Sequence, residues 1–203
     1  MTETEERHHA KPEFGGLFGL LAGLTMAVGR GQSTRAVVDL AAVTPGDRVV
    51  DVGCGPGGFL REAARRGVAA VGVEPSPQMR RLATGLTPAR LRGAITVLDG
   101  TAEHLPLQDG SATVAWAVAS VHHWSDVDAG LAELHRVLLP QGRLLLVERL
   151  ARPGSWFQRH ALTGERADEL AARAKAAGFA EVAVERPTVG RRRLVLVRAR
   201  RPA

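Results

Sequence analysis

The sequence predicts an α/β fold in which a parallel sheet is wrapped by helices, and three observations predict it. From Arg48 onward, short β-branched runs alternate with Ala-, Leu- and Arg-rich stretches of helical character, the pattern of strands joined by crossover helices. The run Arg143 to Val147 is aliphatic without polar alternation, as a strand covered on both faces should be. Between the first strand and the helix after it stands a Gly-rich turn, Gly53-Cys54-Gly55-Pro56-Gly57-Gly58.

The elements follow in order. The turn Thr44-Pro45-Gly46-Asp47 opens a first strand, Arg48 to Val52, whose glycines feed a helix from about Phe59 to Arg66. A second strand, Ala69 to Val73, ends at Glu74, and a helix carrying Met79 and Leu82 follows the Pro75 to Pro77 turn. The third strand, Ile95 to Leu98, ends at Asp99, and the fourth is Ala112 to Ala117. Val127, Leu131, Leu134 and Leu138 sit at helical spacing over Asp126 to Leu138, and Pro140-Gln141-Gly142 stops that helix before the fifth strand. A helix from Arg166 to Ala177, ended by Gly178, precedes two candidate strands, Glu181 to Glu185 and Leu194 to Arg198.

With 203 residues, 45% of them hydrophobic, the chain fits one domain with a full core. A formal net charge of +6 raises the question of a nucleic-acid partner. Lysine, however, occurs only at Lys11 and Lys175, and arginine is spread widely through an Ala, Val, Leu and Gly background, so a nucleic-acid partner is not the expectation. Cys54 is the single cysteine, which excludes an internal disulfide and any cysteine-based metal cluster and fits a reducing, cytoplasmic compartment. No histidine pair has metal-ligand spacing, so no metal is expected. The uncharged run from Phe14 to Val28 holds four glycines and is shorter than the roughly 18 to 20 apolar residues that span a bilayer. We expect no transmembrane segment there, with peripheral membrane contact, a dimer surface or a lid left open, and the oligomeric state unread.

A Gly-rich turn between a parallel strand and a helix lets backbone N–H groups approach a ligand at the helix N-terminus. Gly53, Gly55 and Gly58 satisfy G-x-G-x-x-G, a dinucleotide fingerprint, while Gly53, Gly55 and Gly57 satisfy G-x-G-x-G. Glu74 stands 23 positions after Asp51, at a strand end beside the turn, where its oxygens can accept two ribose hydroxyls. These residues alone leave a nicotinamide dinucleotide and S-adenosylmethionine both open.

The remainder of the chain separates the two. Val49 to Gly57, Gly72-Val73-Glu74-Pro75-Ser76-Pro77-Gln78-Met79, Asp99 to Leu107, Val118 to Trp124 and Glu133 to Val147 together resemble, in order, the motifs of the class I S-adenosylmethionine-dependent methyltransferases, most closely a small-molecule, quinone-biosynthesis-like branch. The resemblance covers about residues 44 to 150. It implies a Rossmann-like, doubly wound sheet of about seven mostly parallel strands with helices on both faces, the last two strands forming an antiparallel edge. It implies that residues 44–203 are the S-adenosylmethionine-binding core, with residues 1–43 a tail and helical lid or pocket segment. It further implies cofactor contacts from Asp51 and the backbone of Gly53, Cys54, Gly55 and Gly57, from Glu74 and Pro75 to the ribose, and from Met79, Asp99, Gly100, Thr101, Ala102 and Ala117 around the adenine and the sheet edge. Cys54 itself reads as a small packing residue rather than a nucleophile.

Methyl transfer from a sulfonium needs an in-line nucleophile more than it needs a base. Where the acceptor is a hydroxyl or an acidic carbon, His122, with His123 as a second candidate, leaves the fourth strand where an imidazole can take a proton. Phe14, Phe18 and Trp124 are candidate walls of a pocket for a small, apolar or aromatic acceptor, and S-adenosylhomocysteine would be the product. Three alternative readings stand beside this one. An RNA methyltransferase is suggested by Arg191, Arg192, Arg193, Arg198, Arg200 and Arg201. A non-catalytic S-adenosylmethionine-binding module keeps the fold without turnover. A nicotinamide oxidoreductase lacks the Tyr-Lys pair it would need, since the chain has no tyrosine.

Overall fold

The computed structural model describes residues 31–150 and 163–203. In chain order these form α1 (Gly31–Leu40), β1 (Arg48–Val52), α2 (Gly58–Arg65), β2 (Ala69–Val73), α3 (Pro77–Gly85), β3 (Ile95–Leu98), β4 (Ala112–Val118), α4 (Val127–Val137), β5 (Leu138–Arg149), α5 (Gly164–Ala176), β6 (Ala180–Glu185), β7 (Thr188–Val189) and β8 (Arg192–Arg200). Short 3-10 turns occupy Ala89–Ala94 and Val121–His123. One sheet runs β3-β2-β1-β4-β5-β8-β6, with the two-residue β7 paired to β8. Strands β3, β2, β1, β4 and β5 are parallel, and β8 lies antiparallel between β5 and β6.

The expected doubly wound sheet is therefore present, and the antiparallel strand is inserted one place in from the edge. Its place there explains its composition: Leu194, Val195, Leu196 and Val197 are buried between two neighbours. The flanking Arg198 and Arg200 reach across to Glu185 and Glu181 of β6. The two faces of the sheet divide consecutive residues between two cores. Val49, Trp116, Leu145 and Val147 pack toward α1 and α2, where Val38 and Leu60 are fully buried. Val50, Ala115, Leu144 and Leu146 pack toward α4 and α5, against Leu131, Leu134 and Leu170. Such two-sided burial is why these strands carry no polar alternation.

Helix starts follow their caps. Ser76 accepts from Met79 N–H ahead of Pro77, Asp126 accepts from Asp128 and Ala129 N–H, and Thr163 accepts from Arg166 N–H. Among the expected elements, the bounds move by one or two residues at most ends. The first half of β5 is the exception, where Leu138 pairs with Ala112 before the register shifts. Helix α1 falls within the stretch expected to be helical, but its side chains Val37 and Val38 are core. Among the described residues, no helix is long and apolar enough to cross a membrane.

Trp124 lies flat against α4 at Gly130, where an added Cβ would stand 2.5 and 2.7 Å from two indole carbons. In an open helix Gly→Ala gains about 1 kcal/mol; here the overpacked ring should turn that gain into a loss of about 1–3 kcal/mol. Thermal unfolding followed by circular dichroism should show Gly130→Ala melting below wild type. Gly85→Ala, where a Cβ meets nothing within 4 Å, should melt at or above it. Equal melting temperatures for the two variants would refute this packing.

Candidate active site

All the predicted site residues that the structure describes lie on or next to the carboxyl edge of the parallel strands, the edge at which open α/β sheets bind ligands. Gly53, Gly55 and Gly57 have φ of 72°, 52° and 75°, left-handed values that a residue with a Cβ adopts only under strain. The turn is drawn over the end of β2: Gly53 and Cys54 N–H donate to the Val73 carbonyl at 2.8 and 3.3 Å. Glu74 then accepts from Gly55 N–H and from Ser76 N–H, 2.9 Å each, one on each oxygen. Burial pushes the Glu74 carboxyl up, while those two N–H groups and the charge of Arg80 oppose the shift. Each carboxylate oxygen retains a further lone pair, which suits a vicinal diol. A Cβ on Gly53 would sit 2.6 Å from the Ser120 Cβ, and Ser120 donates to the Val52 carbonyl at 2.7 Å. The exit of β4 thus braces the end of β1.

Asp51 is 1% exposed behind the turn. Among the described residues, its Oδ2 has no hydrogen-bond partner, nor has the indole Nε1 of Trp116, its register neighbour on β4. Burial, with added repulsion from Glu74, pushes the Asp51 carboxyl up to about 7; the Trp116 N–H opposes this without completing a hydrogen bond. Buried orphan atoms cost about 1–3 kcal/mol each and are rare in native proteins. An anionic oxygen held unpaired beside the Gly turn fits a cationic group of a bound ligand, and S-adenosylmethionine carries two, an ammonium and a sulfonium. Cys54 contributes backbone only: its buried side chain packs beside Gly72, and burial raises its thiol well above the ordinary range.

Asp99 ends β3 with its side chain 71% exposed, but its carboxylate is already engaged by Arg80 of α3. Nη1 and Nη2 meet Oδ1 and Oδ2 at 2.8 and 2.9 Å. The same Nη1 lies 2.8 Å from the carbonyls of Glu74 and Pro75. Arg80 therefore ties the ends of β2 and β3 together, a role its position in an Arg80-Arg81 pair does not announce. Met79 and Ala102 are buried nearby. Gly100 is packed under Val73 and Pro106, where a Cβ would come within 3.0 and 2.8 Å. Thr101 forms a bridge with His104. Ala117 lies one residue inside the end of β4, with its side chain in the core toward α4.

At the exit of β4, His122 Nδ1 lies 3.0 Å from Glu148 Oε2. Glu148 is 1% exposed at the end of β5, and its Oε1 accepts from Val121 N–H at 2.9 Å. Sequence reasoning missed Glu148, although it obeys the rule that found Glu74 and Asp99, an acid closing an aliphatic strand. His123 is exposed, its ring centroid 4.0 Å from that of His122. Trp124 is half-buried against Gly130 and the core toward α4. Phe14, Phe18 and the proposed lid lie outside the described residues.

A Gly turn on β1, an acid at the end of β2 and a sheet in the order found here define a Rossmann-like α/β domain of the methyltransferase type. Residues 50–146 match the family model of the methyltransferase domain, and with this fold they make the chain similar to the class I S-adenosylmethionine-dependent methyltransferases. It is 38% identical over 110 residues to 2-methyl-6-phytyl-1,4-hydroquinone methyltransferase of Synechocystis sp., covering 54% of this chain and 34% of that protein. It is 36% identical over 127 residues to demethylmenaquinone methyltransferase of Deinococcus radiodurans, covering 62% of this chain and 52% of that protein. The chain thus spans a third to a half of these curated relatives. Its fold matches that of a solved S-adenosylmethionine-dependent methyltransferase from Aquifex aeolicus with a TM-score of 0.76 at 18% identity, over 89% of this chain and 97% of that one.

The raised Asp51 carboxyl has a sign that can be measured. Because the folded state holds the proton more tightly than the unfolded chain, the stability from this group is full below about pH 4. It is lost as pH rises toward the folded value of about 7. Without ligand, Asp51→Asn should remove that slope, melting near wild type at pH 4 and above it at pH 8, where the stability difference is on the order of a few kcal/mol. Parallel pH profiles for the two proteins would contradict the assignment.

Proposed function

We propose that the chain transfers the methyl group of S-adenosylmethionine to a small, predominantly apolar acceptor, with His122 as the proton acceptor. The observation that carries this reading is the alignment, along one sheet edge, of the Gly53–Gly57 turn with Glu74 on one side and the His122–Glu148 pair on the other. When bound, S-adenosylmethionine supplies a methyl group on a sulfonium, open to in-line displacement. Glu74 would hold the ribose hydroxyls, Asp99 and the backbone near Ala102 the adenine, and Asp51 the cationic methionyl end. Met79 would pack beside the ring.

With Nδ1–H of His122 donating to Glu148 Oε2, 3.0 Å away, Nε2 is the basic atom. The proton leaving an acceptor hydroxyl or acidic carbon would go to that Nε2, while the buried Glu148 stabilises the imidazolium it produces. The two quinol-methylating relatives support an apolar ring-bearing acceptor. The RNA reading is weakened because Arg198, Arg200 and Arg201 are spent on Leu40, Gln141 and Leu138 carbonyls and on Glu185 and Glu181.

A radiolabelled methyl-transfer screen against quinols, phenols, heterocycles, amines and RNA tests the proposal. Label should enter at least one small acceptor, and Glu148→Gln should lower kcat by about 10²-fold with little change in KM. Tight cofactor binding with no label in any acceptor would leave a binding module instead, and label confined to RNA would replace the acceptor class.

A further inference from the structure

Beside Glu148, on the α1 side of the sheet edge, the structure holds a cleft between α1, the start of α2 and the ends of β4, β5 and β8. Its walls are apolar: Val37, Phe59, Val118 and Leu194 line it. Two guanidinium groups also line it, those of Arg149 at the end of β5 and Arg192 at the start of β8. We propose that this cleft binds the methyl acceptor as an organic anion, its apolar body against Val37, Phe59 and Leu194 and its carboxylate, sulfonate or phosphate on Arg149 and Arg192. This rests on the methyltransferase reading above and adds to it a chemical class of acceptor.

The argument is one of unmatched charge. Elsewhere the arginines near the sheet edges are spent on structure: Arg61 donates to the Pro56 carbonyl, Arg80 to Asp99, Arg136 to Glu133 and Arg143 to Asp47. Among the described residues, Arg149 and Arg192 make no side-chain hydrogen bond or ion pair. The acid in the cleft is Glu148, and its two oxygens are taken by Val121 N–H and His122. Two cations on one concave, apolar-walled surface, without a local counter-charge, raise the concentration of anions there, and paired guanidinium forks suit carboxylate, sulfonate and phosphate oxygens.

A second feature points the same way. Ala119, which also lines the cleft, holds φ 54° at the point where β4 turns out of the sheet, a conformation that costs a non-glycine residue of order 1 kcal/mol and clusters at ligand sites. Its N–H donates to the Val147 carbonyl at 2.7 Å, so the strained corner is fixed to the cleft wall. The cleft shares Glu148 with His122, since Glu148 lines it and bonds the imidazole.

The test uses two fluorescent probes of similar apolar shape on the full chain saturated with S-adenosylhomocysteine: 8-anilino-1-naphthalenesulfonate, an anion, and N-phenyl-1-naphthylamine, which is neutral. The anion should bind about tenfold more tightly than the neutral probe. Arg149→Gln/Arg192→Gln should erase that difference, weakening the anion about tenfold and the neutral probe less than twofold. Arg191→Gln/Arg193→Gln, changing neighbours outside the cleft, should leave both unchanged. Equal affinity of wild type for the two probes, or an anion preference that survives in Arg149→Gln/Arg192→Gln, would overturn the proposal. So would displacement of the anion by a single-stranded RNA oligomer with a steep salt dependence, which would mark a nucleic-acid surface. Calorimetry with S-adenosylhomocysteine alone separates the two readings: lost cofactor binding with retained anion preference condemns the methyltransferase reading, and the reverse result condemns the anion cleft.

Discussion

The end of β2 is the point on which the site depends. Its last carbonyl, Val73, receives Gly53 and Cys54 N–H, and the next residue, Glu74, receives Gly55 and Ser76 N–H. Two strands, the Gly turn and the cap of α3 are thereby held by a carbonyl and a carboxylate side by side. The left-handed glycines follow from this, because the chain must leave β1 and double back over β2 within a few residues. Arg80 extends the same anchorage to β3 by bonding the Glu74 and Pro75 carbonyls and the Asp99 carboxylate.

Around that anchorage the fold accepts several local costs, all at the carboxyl edge. Asp51 and Trp116 bury polar atoms without partners, Glu148 is an almost wholly buried acid and Ala119 carries a left-handed backbone. The deep sheet beneath is conventional by comparison, with aliphatic side chains divided evenly between two faces. The buried polar atoms left without partners among the described residues, Asp51 Oδ2 and Trp116 Nε1, lie on the two neighbouring strands that lead to this edge, which suits binding there.

The strands and the nucleoside-side acids could be read from sequence because both are local signals. Val49 to Val52, Ala69 to Val73 and Leu144 to Val147 are aliphatic runs closed by turns, and Glu74 and Asp99 follow their strands directly. What could not be read depends on strand order. The Asp51–Trp116 contact joins residues 65 apart because β4 lies beside β1, and the His122–Glu148 pair joins the turn after β4 to the end of β5. Glu148 also hides in a Glu148-Arg149 step that resembles the start of a solvated loop. The C-terminal arginines read as one basic run, yet β6 neutralises Arg198 and Arg200, leaving a smaller set near the cleft. Two-residue β7 has too little sequence to signal itself.

Whether the anchorage at β2 is a cofactor site is best tested by calorimetric titration with S-adenosylhomocysteine of wild type, Glu74→Gln and Arg80→Gln, each checked for wild-type melting. Wild type should bind one equivalent, and each variant should bind about tenfold more weakly, a loss of about 1.4 kcal/mol, because each removes a charge that holds the nucleoside contacts in place. Absence of saturable heat with wild type, or equal affinity for all three proteins, would contradict the account.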